Sequence, residues 1–429
     1  MIPKLIYEMG KAIRNPLISE RLSALLEMQG WSRERLVQHQ LLGLRSLVTH
    51  AYDNCSYYRT TFDRAGVTPF SILSLEDLRK LPSISKEELI EHRKRIQILT
   101  SSERLFYSET SGSTGKPLVF YRNQDWDAWH RASVFRGYSW YGVAPWDRNG
   151  YLWGYNFSWK RAVKTRILDM LQNRFRLFSY KDNEIDEFIA KLSKATYLSG
   201  YSSMIYEVAK RVNAKKRAWE FPHLRMIKGT SEKIFDKYRD EVKVAFGVPI
   251  ISEYGAAESG IIAFECPFGA MHVNMETVIV EEENNEILVT NLVSKSFPII
   301  RYKLGDYIRL EKSSRCACGM QHEIVSEVLG RVGKVIYGKV NQYPSLTLYY
   351  VFKNLAMEHG LVLNYQATQS QKGALLVRVE GQLTESHRQA LNKEITKYFA
   401  HDLDVQVKDG EDLHTRKGKK ADFVSEIDR

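Results

Sequence analysis

The stretch Tyr107–Pro117 reads Tyr-Ser-Glu-Thr-Ser-Gly-Ser-Thr-Gly-Lys-Pro, and it is the most informative segment of the chain. Between Thr110 and Lys116 it holds four hydroxyl side chains, two glycines and one lysine. Glycine lets backbone N–H groups approach a ligand without a Cβ in the way, and a turn of such amides forms an anion-binding cradle. The hydroxyls add hydrogen-bond donors and the lysine adds a positive charge. The stretch therefore predicts a loop that binds a polyphosphate.

This loop differs from the Gly-x-x-x-x-Gly-Lys-Ser/Thr phosphate-binding loop of nucleotide hydrolases. Thr110 stands where the first glycine of that motif would be, and Pro117 follows the lysine. The next residues, Leu118–Tyr121, are apolar and aromatic, which predicts a strand that leads into a sheet. A run of serine, glycine and threonine is also typical of a flexible surface loop, and this alternative stays open on the loop residues alone.

Two later segments contain further nucleotide-site chemistry. Ser252–Glu258 reads Ser-Glu-Tyr-Gly-Ala-Ala-Glu, and Pro298–Asp306 reads Pro-Ile-Ile-Arg-Tyr-Lys-Leu-Gly-Asp. Together with the loop, these segments resemble the motifs of the adenylate-forming superfamily, which includes the acyl-CoA synthetases. The rest of the chain resembles the phenylacetate–CoA ligase/CapK-like branch of that superfamily. The resemblance covers most of residues 50–429.

The resemblance implies an α/β fold in two domains. Residues 1–333 would form a large N-terminal AMP-binding adenylation domain with mixed sheets and flanking helices. Residues 334–429 would form a small mobile α+β C-terminal domain. Within the large domain, about residues 264–322 would carry a zinc-knuckle insertion.

The same resemblance implies roles for individual residues. Tyr254 would stack on adenine, Asp306 would accept the ribose hydroxyls, and Glu258 would hold Mg²⁺ at the phosphates. Thr110, Lys116 and Glu258 would be catalytic, together with Lys419, which matches the family's lysine near the C-terminus; Lys417 and Lys420 remain alternatives to it. The other implied nucleotide-binding residues are Ser111, Gly112, Ser113, Thr114, Gly115, Gly229, Thr230, Ser231, Glu253, Gly255, Ala256 and Arg331.

Three of the four cysteines lie in two short segments. Cys266 is followed six residues later by His272, and Cys316 and Cys318 form a Cys-x-Cys pair. Three cysteines and one histidine are a complete tetrahedral ligand set for Zn²⁺, and no position is left for water, so the metal would be structural. His322 is a second candidate for the fourth ligand.

The composition suits a large folded protein rather than a disordered or membrane-spanning one. Of its 429 residues 44% are hydrophobic, and no apolar run is long enough for a transmembrane helix. The net charge of +11 fits nucleic acid, a membrane surface or anionic small molecules. Its basic residues are spread along the chain, which favours solvated charge and argues against a nucleic-acid partner. We expect a cytoplasmic protein and leave open whether it forms a homodimer.

The first fifty residues carry apolar residues at helical spacing, beginning with Leu5, Met9 and Ile13. This pattern predicts helices that pack into the core; contact with a membrane surface is the alternative.

The resulting functional hypothesis is an AMP-forming carboxylate ligase that uses ATP and Mg²⁺. It would activate a carboxylic acid as an acyl-adenylate and pass the acyl group to a thiol such as coenzyme A. One alternative is an adenylating ligase of surface-polysaccharide or secondary metabolism, with an amine or hydroxyl acceptor. The other is a basic, zinc-containing nucleic-acid-binding protein.

Overall fold

The structure is a computed structural model of the chain. It describes residues 2–99, 104–110, 117–152, 159–177, 182–215, 219–231, 234, 236–283, 286–311, 315–331, 335–361, 363, 365–410 and 423–427. By its internal contacts the chain divides into a larger unit, which ends at Arg331, and a smaller unit, which holds the described residues from Val335 onward together with Pro117 and Leu118. The sequence prediction puts the boundary between residues 333 and 334, and the mobility of the smaller unit stays a prediction.

The described helices lie mostly in the first half of the chain. They are α1 (Ile2–Arg14), α2 (Leu17–Met28), α3 (Arg33–Asn54), α4 (Ser56–Arg64), α5 (Lys86–Glu91), α6 (Arg93–Ile96), α7 (Gln124–Ser139), α8 (Trp159–Leu171), α9 (Asp182–Leu192), α10 (Ser202–Ala214), α11 (Asp236–Phe246), α12 (Leu346–His359) and α13 (Glu385–Phe399), with short 3₁₀ turns at Pro69–Ser71 and Glu76–Lys80.

The described strands form one large sheet and three small ones. They are β1 (Phe106–Glu109), β2 (Val119–Arg122), β3 (Asn149–Leu152), β4 (Arg174–Arg176), β5 (Tyr197–Tyr201), β6 (Met226–Thr230), β7 (Ile250–Ala256), β8 (Gly260–Glu265), β9 (Met271–Val273), β10 (Val278–Glu283), β11 (Glu286–Asn291), β12 (Ile299–Glu311), β13 (Ile324–Arg331), β14 (Val335–Tyr337), β15 (Gln342–Pro344), β16 (Tyr365–Gln369), β17 (Ala374–Val379), β18 (Asp404–Lys408) and β19 (Phe423–Ser425).

The large sheet has eleven strands in the order β10-β11-β12-β13-β9-β8-β7-β6-β5-β3-β4. Strands β3 to β7 pair in parallel, whereas β8 pairs with β7 in the antiparallel sense. The sheet therefore changes from a helix-connected α/β half to an antiparallel half at β7. The predicted segment Ser252–Glu258 overlaps β7, and the predicted segment Pro298–Asp306 overlaps β12.

Local sequence explains where two of the helices begin. The Asn123 side chain accepts a hydrogen bond from the Trp126 N–H and caps the first turn of α7. Ser85 and Glu88 form a reciprocal capping box at the start of α5. In both cases a polar side chain satisfies N–H groups that have no partner inside the helix.

The two strands that flank the predicted phosphate loop are fixed by aromatic packing. Strands β1 and β2 pair in antiparallel register, with Tyr107 opposite Tyr121. Phe120 of β2 is 1% exposed and stacks on Trp126 at 5.5 Å and on Phe297 at 5.3 Å between ring centroids. Such offset aromatic pairs stabilise a defined geometry. The chain on either side of the loop is therefore held by the core.

The smaller unit has its own sheet and core. Its four strands have the order β18-β17-β16-β19, and α12 and α13 pack together over apolar residues that include Leu355, Val377 and Phe399. Along the chain α12 is followed by β16, β17, α13, β18 and β19, which fits the α+β domain expected here. An independent core makes this unit a compact α+β element in its own right.

The prediction that the first helix packs into the core is wrong. No described residue of α1 is buried, whereas α2 buries Ile18 and Leu25, and α3 buries residues along its length. The apolar spacing that predicts a core-facing stripe is real, but in the fold this stripe faces outward. Within the described residues, every helix is too short or too polar to cross a lipid bilayer.

Candidate functional site: a nucleotide cleft and a cysteine–histidine cluster

The predicted nucleotide-binding residues Gly229, Thr230 and Ser231 lie at the end of β6. Gly229 lies within β6, and a Cβ on it would stand 2.6 Å from the Ser202 Oγ, so the close packing of α10 on the sheet requires glycine here. Ser231, just beyond the strand, has φ +66°, a conformation that non-glycine residues seldom adopt. The backbone after Thr230 is therefore held in a tight, strained turn, which is typical of ligand-binding segments.

Strand β7 carries the second predicted segment. Glu253 is buried, and its Oε2 pairs with the Nζ of Lys228 on β6 at 2.7 Å. The sequence prediction includes Glu253 but not Lys228, because two residues 25 positions apart meet only when their strands pair. The ion pair compensates both charges in the sheet and so fixes the carboxyl ends of β6 and β7 relative to each other.

The turn between β7 and β8 holds Glu258. Gly255 precedes it, and a Cβ there would lie 2.4 Å from the carbonyl oxygen of Gly260, so this hairpin can close only with glycine. The Glu258 side chain is 2% exposed, and its Oε1 accepts a hydrogen bond of 2.8 Å from the hydroxyl of Tyr302. Oε2 accepts no hydrogen bond from the described residues. One oxygen of an oriented carboxylate is thus left for a ligand, which fits the predicted Mg²⁺ role.

Tyr254 and Asp306 come together from two different strands of the sheet. The hydroxyl of Tyr254 on β7 donates a hydrogen bond of 2.8 Å to Asp306 Oδ2 on β12. Gly305, with φ +83°, turns the backbone just before the aspartate, and Asp306 stands directly opposite Arg331 in the β12–β13 pairing. The structure therefore brings together the predicted adenine-stacking residue, the predicted ribose acceptor and the backbone of the predicted arginine.

A cavity of about 250 Å³ lies beside β1 and β2, the two strands that flank the predicted loop. Its lining includes Ser108, Arg122, Asp127, His130 and Arg131. The Arg122 Nε donates a hydrogen bond of 2.8 Å to Ser108 Oγ, and burial lowers the pKa of this guanidinium to about 10. Burial, together with the neighbouring Arg122 and Arg131, also holds the pKa of His130 well below its usual value. The cavity is cationic, and the sequence prediction names neither Arg122 nor His130.

Of the residues predicted for the phosphate-binding loop, the structure describes Thr110. Thr110 is described and is buried at the end of the β1 segment. Ser111, Gly112, Ser113, Thr114, Gly115, Lys116 and Lys419 lie outside the described residues. Their roles stay predictions.

The predicted zinc ligands converge in the antiparallel half of the sheet. Cys266, His272, Cys316 and Cys318 place their ligand atoms within 4.8 Å of one another. The sulfurs of Cys266 and Cys316 are 3.6 Å apart, and Cys318 Sγ is 3.1 Å from His272 Nε2. A tetrahedral zinc with Zn–S bonds of about 2.3 Å separates two sulfurs by about 3.8 Å. The donor set and its spacing therefore fit Zn²⁺.

The rival ligand His322 has a different partner. Its Nε2 lies 2.8 Å from Glu276 Oε1, and the same carboxylate pairs with Arg136 of α7. All three side chains are almost fully buried. Burial raises the pKa of Glu276, but Arg136 and His322 outweigh burial and hold it below its usual value. His322 therefore belongs to a buried network with Glu276 and with Arg136 of α7. His272 is the histidine that lies in the cysteine cluster.

Known proteins are similar to this chain in sequence and in fold. No family model matches the chain. CapK of Staphylococcus aureus is 24% identical over 271 residues, which span 60% of each chain. Phenylacetate–coenzyme A ligase of Escherichia coli (strain K12) is 26% identical over 393 residues, covering 83% of this chain and 86% of that one. A crystal structure of 2-hydroxyisobutyryl-CoA ligase with 2-HIB-AMP and CoA aligns over 93% of this chain and 92% of that one, with a TM-score of 0.66 and 17% identity.

The curated relatives support the adenylate-forming superfamily and, within it, the phenylacetate–CoA ligase/CapK-like branch that the resemblance implies. The structural match confirms the predicted α/β fold class. The chain spans 60% of the length of CapK and 86% of the length of the E. coli ligase that it matches.

Proposed function

We propose that this chain is an AMP-forming ligase that activates a carboxylic acid with ATP and transfers the acyl group to a thiol, coenzyme A. The observation that carries the proposal is the hydrogen bond between Tyr254 and Asp306, because it joins two separate superfamily segments in one place. The relationship to phenylacetate–CoA ligases supports the thiol as acceptor.

The proposed nucleotide contacts follow from the arrangement of the larger unit. Tyr254 offers an aromatic face to adenine, while its hydroxyl keeps the Asp306 carboxylate oriented for the ribose hydroxyls. The free Oε2 of Glu258 would hold Mg²⁺, which supplies positive charge at the phosphates. We propose that the amides and hydroxyls from Thr110 to Thr114, with Lys116, stabilise the negative charge that grows on the α-phosphate.

We further propose that the smaller unit moves between the two half-reactions. Lys419 would stabilise the first transition state and then leave, so that the thiol can reach the acyl-adenylate. This proposal predicts that Lys419 serves adenylation alone. It also requires the segment after Arg331 to act as a hinge.

We propose a structural Zn²⁺ for the cluster of Cys266, His272, Cys316 and Cys318. All four donors are protein side chains, so the site is closed to water and to substrate. Burial and the nearby His322 lower the pKa of His272 to about 4, which keeps its imidazole in the neutral form that a metal needs. The ion would tie the segment that carries Cys316 and Cys318 to β9, which carries His272.

The proposed activity is tested by pyrophosphate release from ATP over a panel of aryl, 2-hydroxy and short-chain carboxylic acids, with and without coenzyme A. We expect acid-dependent pyrophosphate and AMP, with turnover that rises when coenzyme A is present. If pyrophosphate release does not change with coenzyme A but rises with an amine or hydroxyl acceptor, the chain would be the alternative ligase, which transfers the acyl group to that acceptor. The absence of acid-dependent release over the panel, or the formation of ADP, would contradict the adenylation proposal.

A further inference from the structure

Arg122 brings a positive charge into the cavity beside β1 and β2 without a counter-charge. Its Nε donates a hydrogen bond of 2.8 Å to the Ser108 Oγ, and its guanidinium lies over the Trp126 ring at 5.7 Å. Within the described ranges, its Nη1 and Nη2 donate no hydrogen bond and it forms no ion pair. Burial, the largest influence on its pKa, lowers that pKa to about 10. A cation that is taken out of water without a carboxylate is costly to the folded protein, which points to a ligand that supplies the negative charge.

Asp127, an acid in the lining of this cavity, is already engaged. Its Oδ1 lies 3.6 Å from Arg14 Nη2, and its Oδ2 lies 3.2 Å from Arg131 Nε. The same Oδ2 accepts a hydrogen bond of 3.2 Å from the Asn15 side chain. Among the described lining residues, three arginines accompany this one aspartate. The lining therefore has a net positive charge, and the uncompensated group is Arg122.

His130 adds a second polar group without a partner. It lies on α7, and its Nδ1 is buried and makes no hydrogen bond in the described part of the chain. Burial, followed by the charges of Arg122 and Arg131, holds its pKa well below the usual value, so the imidazole is neutral near pH 7. A neutral imidazole carries one N–H donor. Because buried polar atoms in folded proteins normally have partners, an unpaired guanidinium and an unpaired imidazole in one cavity indicate a binding site.

The remaining wall of the cavity is apolar. Phe106, Val134 and Phe135 line it, and Phe106 stands opposite Arg122 in the β1–β2 pairing. A bare phosphate would use the cationic groups and leave these apolar side chains without a partner. A carboxylate on a short hydrocarbon chain uses both walls, since the chain leaves water on the apolar side. The volume of about 250 Å³ is below the range of pockets for drug-sized ligands and so suits a small acid.

The cavity lies close to the predicted nucleotide segments. The strands β1 and β2, which carry Ser108 and Arg122, flank the predicted phosphate loop. The negative charge of Glu258 acts on the pKa of Arg122, and the positive charge of Lys228 acts on that of His130. Because such interactions weaken with distance, the cavity and the predicted nucleotide segments belong to one region of the larger unit.

We propose that this cavity binds a second carboxylate of the acid substrate, so that the enzyme activates short dicarboxylic acids. The proposal rests on the ligase function proposed above, and it names the class of acid. Arg122 would bind the carboxylate through Nη1 and Nη2, the two-point geometry that guanidinium groups favour. His130 would donate its N–H to the same group, and the apolar wall would cover the hydrocarbon spacer. The other carboxylate of the acid would then be left for adenylation.

The test compares acids of equal chain length that differ by one carboxylate. Acid-dependent pyrophosphate release is measured with glutarate against valerate and with adipate against hexanoate. We expect kcat/KM to be about tenfold or more higher for a dicarboxylate than for its matched monocarboxylate, because a hydrogen bond between charged groups contributes on that order.

Variants of Arg122 make the result specific. Arg122→Met removes the charge but keeps an unbranched side chain over Trp126, and it should lower the preference for the dicarboxylate by about tenfold or more. Arg122→Lys keeps the positive charge but loses the two-point geometry, so its preference should be intermediate. Arg64→Met, at an exposed arginine on α4, is the matched control and should keep the parent preference. Circular dichroism checks that each variant is folded.

Isothermal titration calorimetry tests the cavity without turnover. Glutarate, valerate and inorganic phosphate are titrated into the full chain and into Arg122→Met. We expect glutarate to bind more tightly than valerate or phosphate, and the variant to lose about tenfold or more in affinity for glutarate. If no acid supports pyrophosphate release, the ligase proposal fails, whereas Arg122-dependent binding of glutarate would still place a carboxylate in this cavity.

The inference is overturned, with the ligase proposal intact, if neither dicarboxylate is activated better than its matched monocarboxylate. It is also overturned if Arg122→Met keeps the preference of the Arg64→Met control. A third contrary result is phosphate that binds in an Arg122-dependent manner while glutarate does not bind. That result would assign the cavity to a phosphate group.

Discussion

The hydroxyl of Tyr254 donates a hydrogen bond to Asp306 Oδ2 at 2.8 Å, although 52 positions separate the two residues. The bond connects β7, where the large sheet changes from parallel to antiparallel pairing, with β12. In open α/β sheets, ligands bind outside the carboxyl ends of the parallel strands, and β7 is the last of these strands before the antiparallel half. The two residues that the sequence assigns to adenine and to ribose thus share one hydrogen bond, and their contributions to ATP binding should be coupled.

We expect Asp306→Ala to raise the KM for ATP by about 10- to 100-fold, because it removes a charged acceptor for the ribose. Tyr254→Phe keeps the ring and loses only the orienting hydroxyl, so it should raise KM by about two- to tenfold. In the double variant, the KM for ATP should rise by less than the product of the two single-variant increases. Pyrophosphate release at varied ATP concentration measures all three. Asp240→Ala, an exposed acid on α11, is the control; a normal KM in Asp306→Ala would contradict the ribose assignment.

Lys419→Ala should separate the two half-reactions. We expect adenylation to fall by about a hundredfold or more, since a cation that stabilises phosphoryl charge is lost. Acyl transfer to coenzyme A from a supplied acyl-adenylate should stay near the parent rate. Lys417→Ala and Lys420→Ala are matched neighbours and should leave adenylation intact. If one of these neighbours shows the defect instead, the catalytic role moves to that residue.

The purified chain should contain one Zn²⁺, measured by atomic emission. Cys318→Ser and His272→Ala should lose the metal, because each removes one of four ligands. His322→Ala should retain it, since His322 pairs with Glu276 rather than with the cysteines. Loss of zinc in His322→Ala together with its retention in His272→Ala would reverse the assignment of the fourth ligand.

Glu276→Gln should destabilise the larger unit by about 3–5 kcal/mol, because it leaves the buried Arg136 guanidinium without its counter-charge. Chemical denaturation monitored by tryptophan fluorescence measures the loss. Glu207→Gln breaks an exposed ion pair with Lys210 on α10 and should change the stability by less than about 1 kcal/mol. Equal losses of unfolding free energy in the two variants would show that the buried network does not stabilise the larger unit.

His130 should make the larger unit less stable in mild acid. Burial and the nearby arginines lower its pKa in the folded state, whereas the unfolded state takes up a proton below about pH 6.5. Stability from this group is therefore present above that pH and is lost as pH falls, by at most about 1.4 kcal/mol per unit. Denaturation at several pH values should show a shallower slope in His130→Gln. The exposed His223→Gln is the control, and an unchanged slope in His130→Gln would contradict the prediction.

The helix α7 shows how far local sequence reaches. Its beginning at Gln124 follows from the Asn123 side chain, which caps the helix within a few residues. The assignment of Tyr254 and Asp306 to a nucleotide site also comes from short motifs, and it stays a prediction. By contrast, the outward face of α1 has no local signal, because the same spacing fits a core-facing helix and an exposed one.

By itself, the sequence indicated the adenylate-forming superfamily, the α/β class, the order of the predicted nucleotide segments and the three cysteines with a histidine nearby. Only the tertiary structure decided that Lys228 pairs with Glu253, that His322 turns to Glu276 while His272 joins the cysteines, and that α1 shows its apolar stripe to the outside. The physical reason is the distance along the chain over which each interaction acts. Capping, turn and helix preferences are set by neighbours along the chain, whereas ion pairs and ligand sets depend on which strands become adjacent in the sheet.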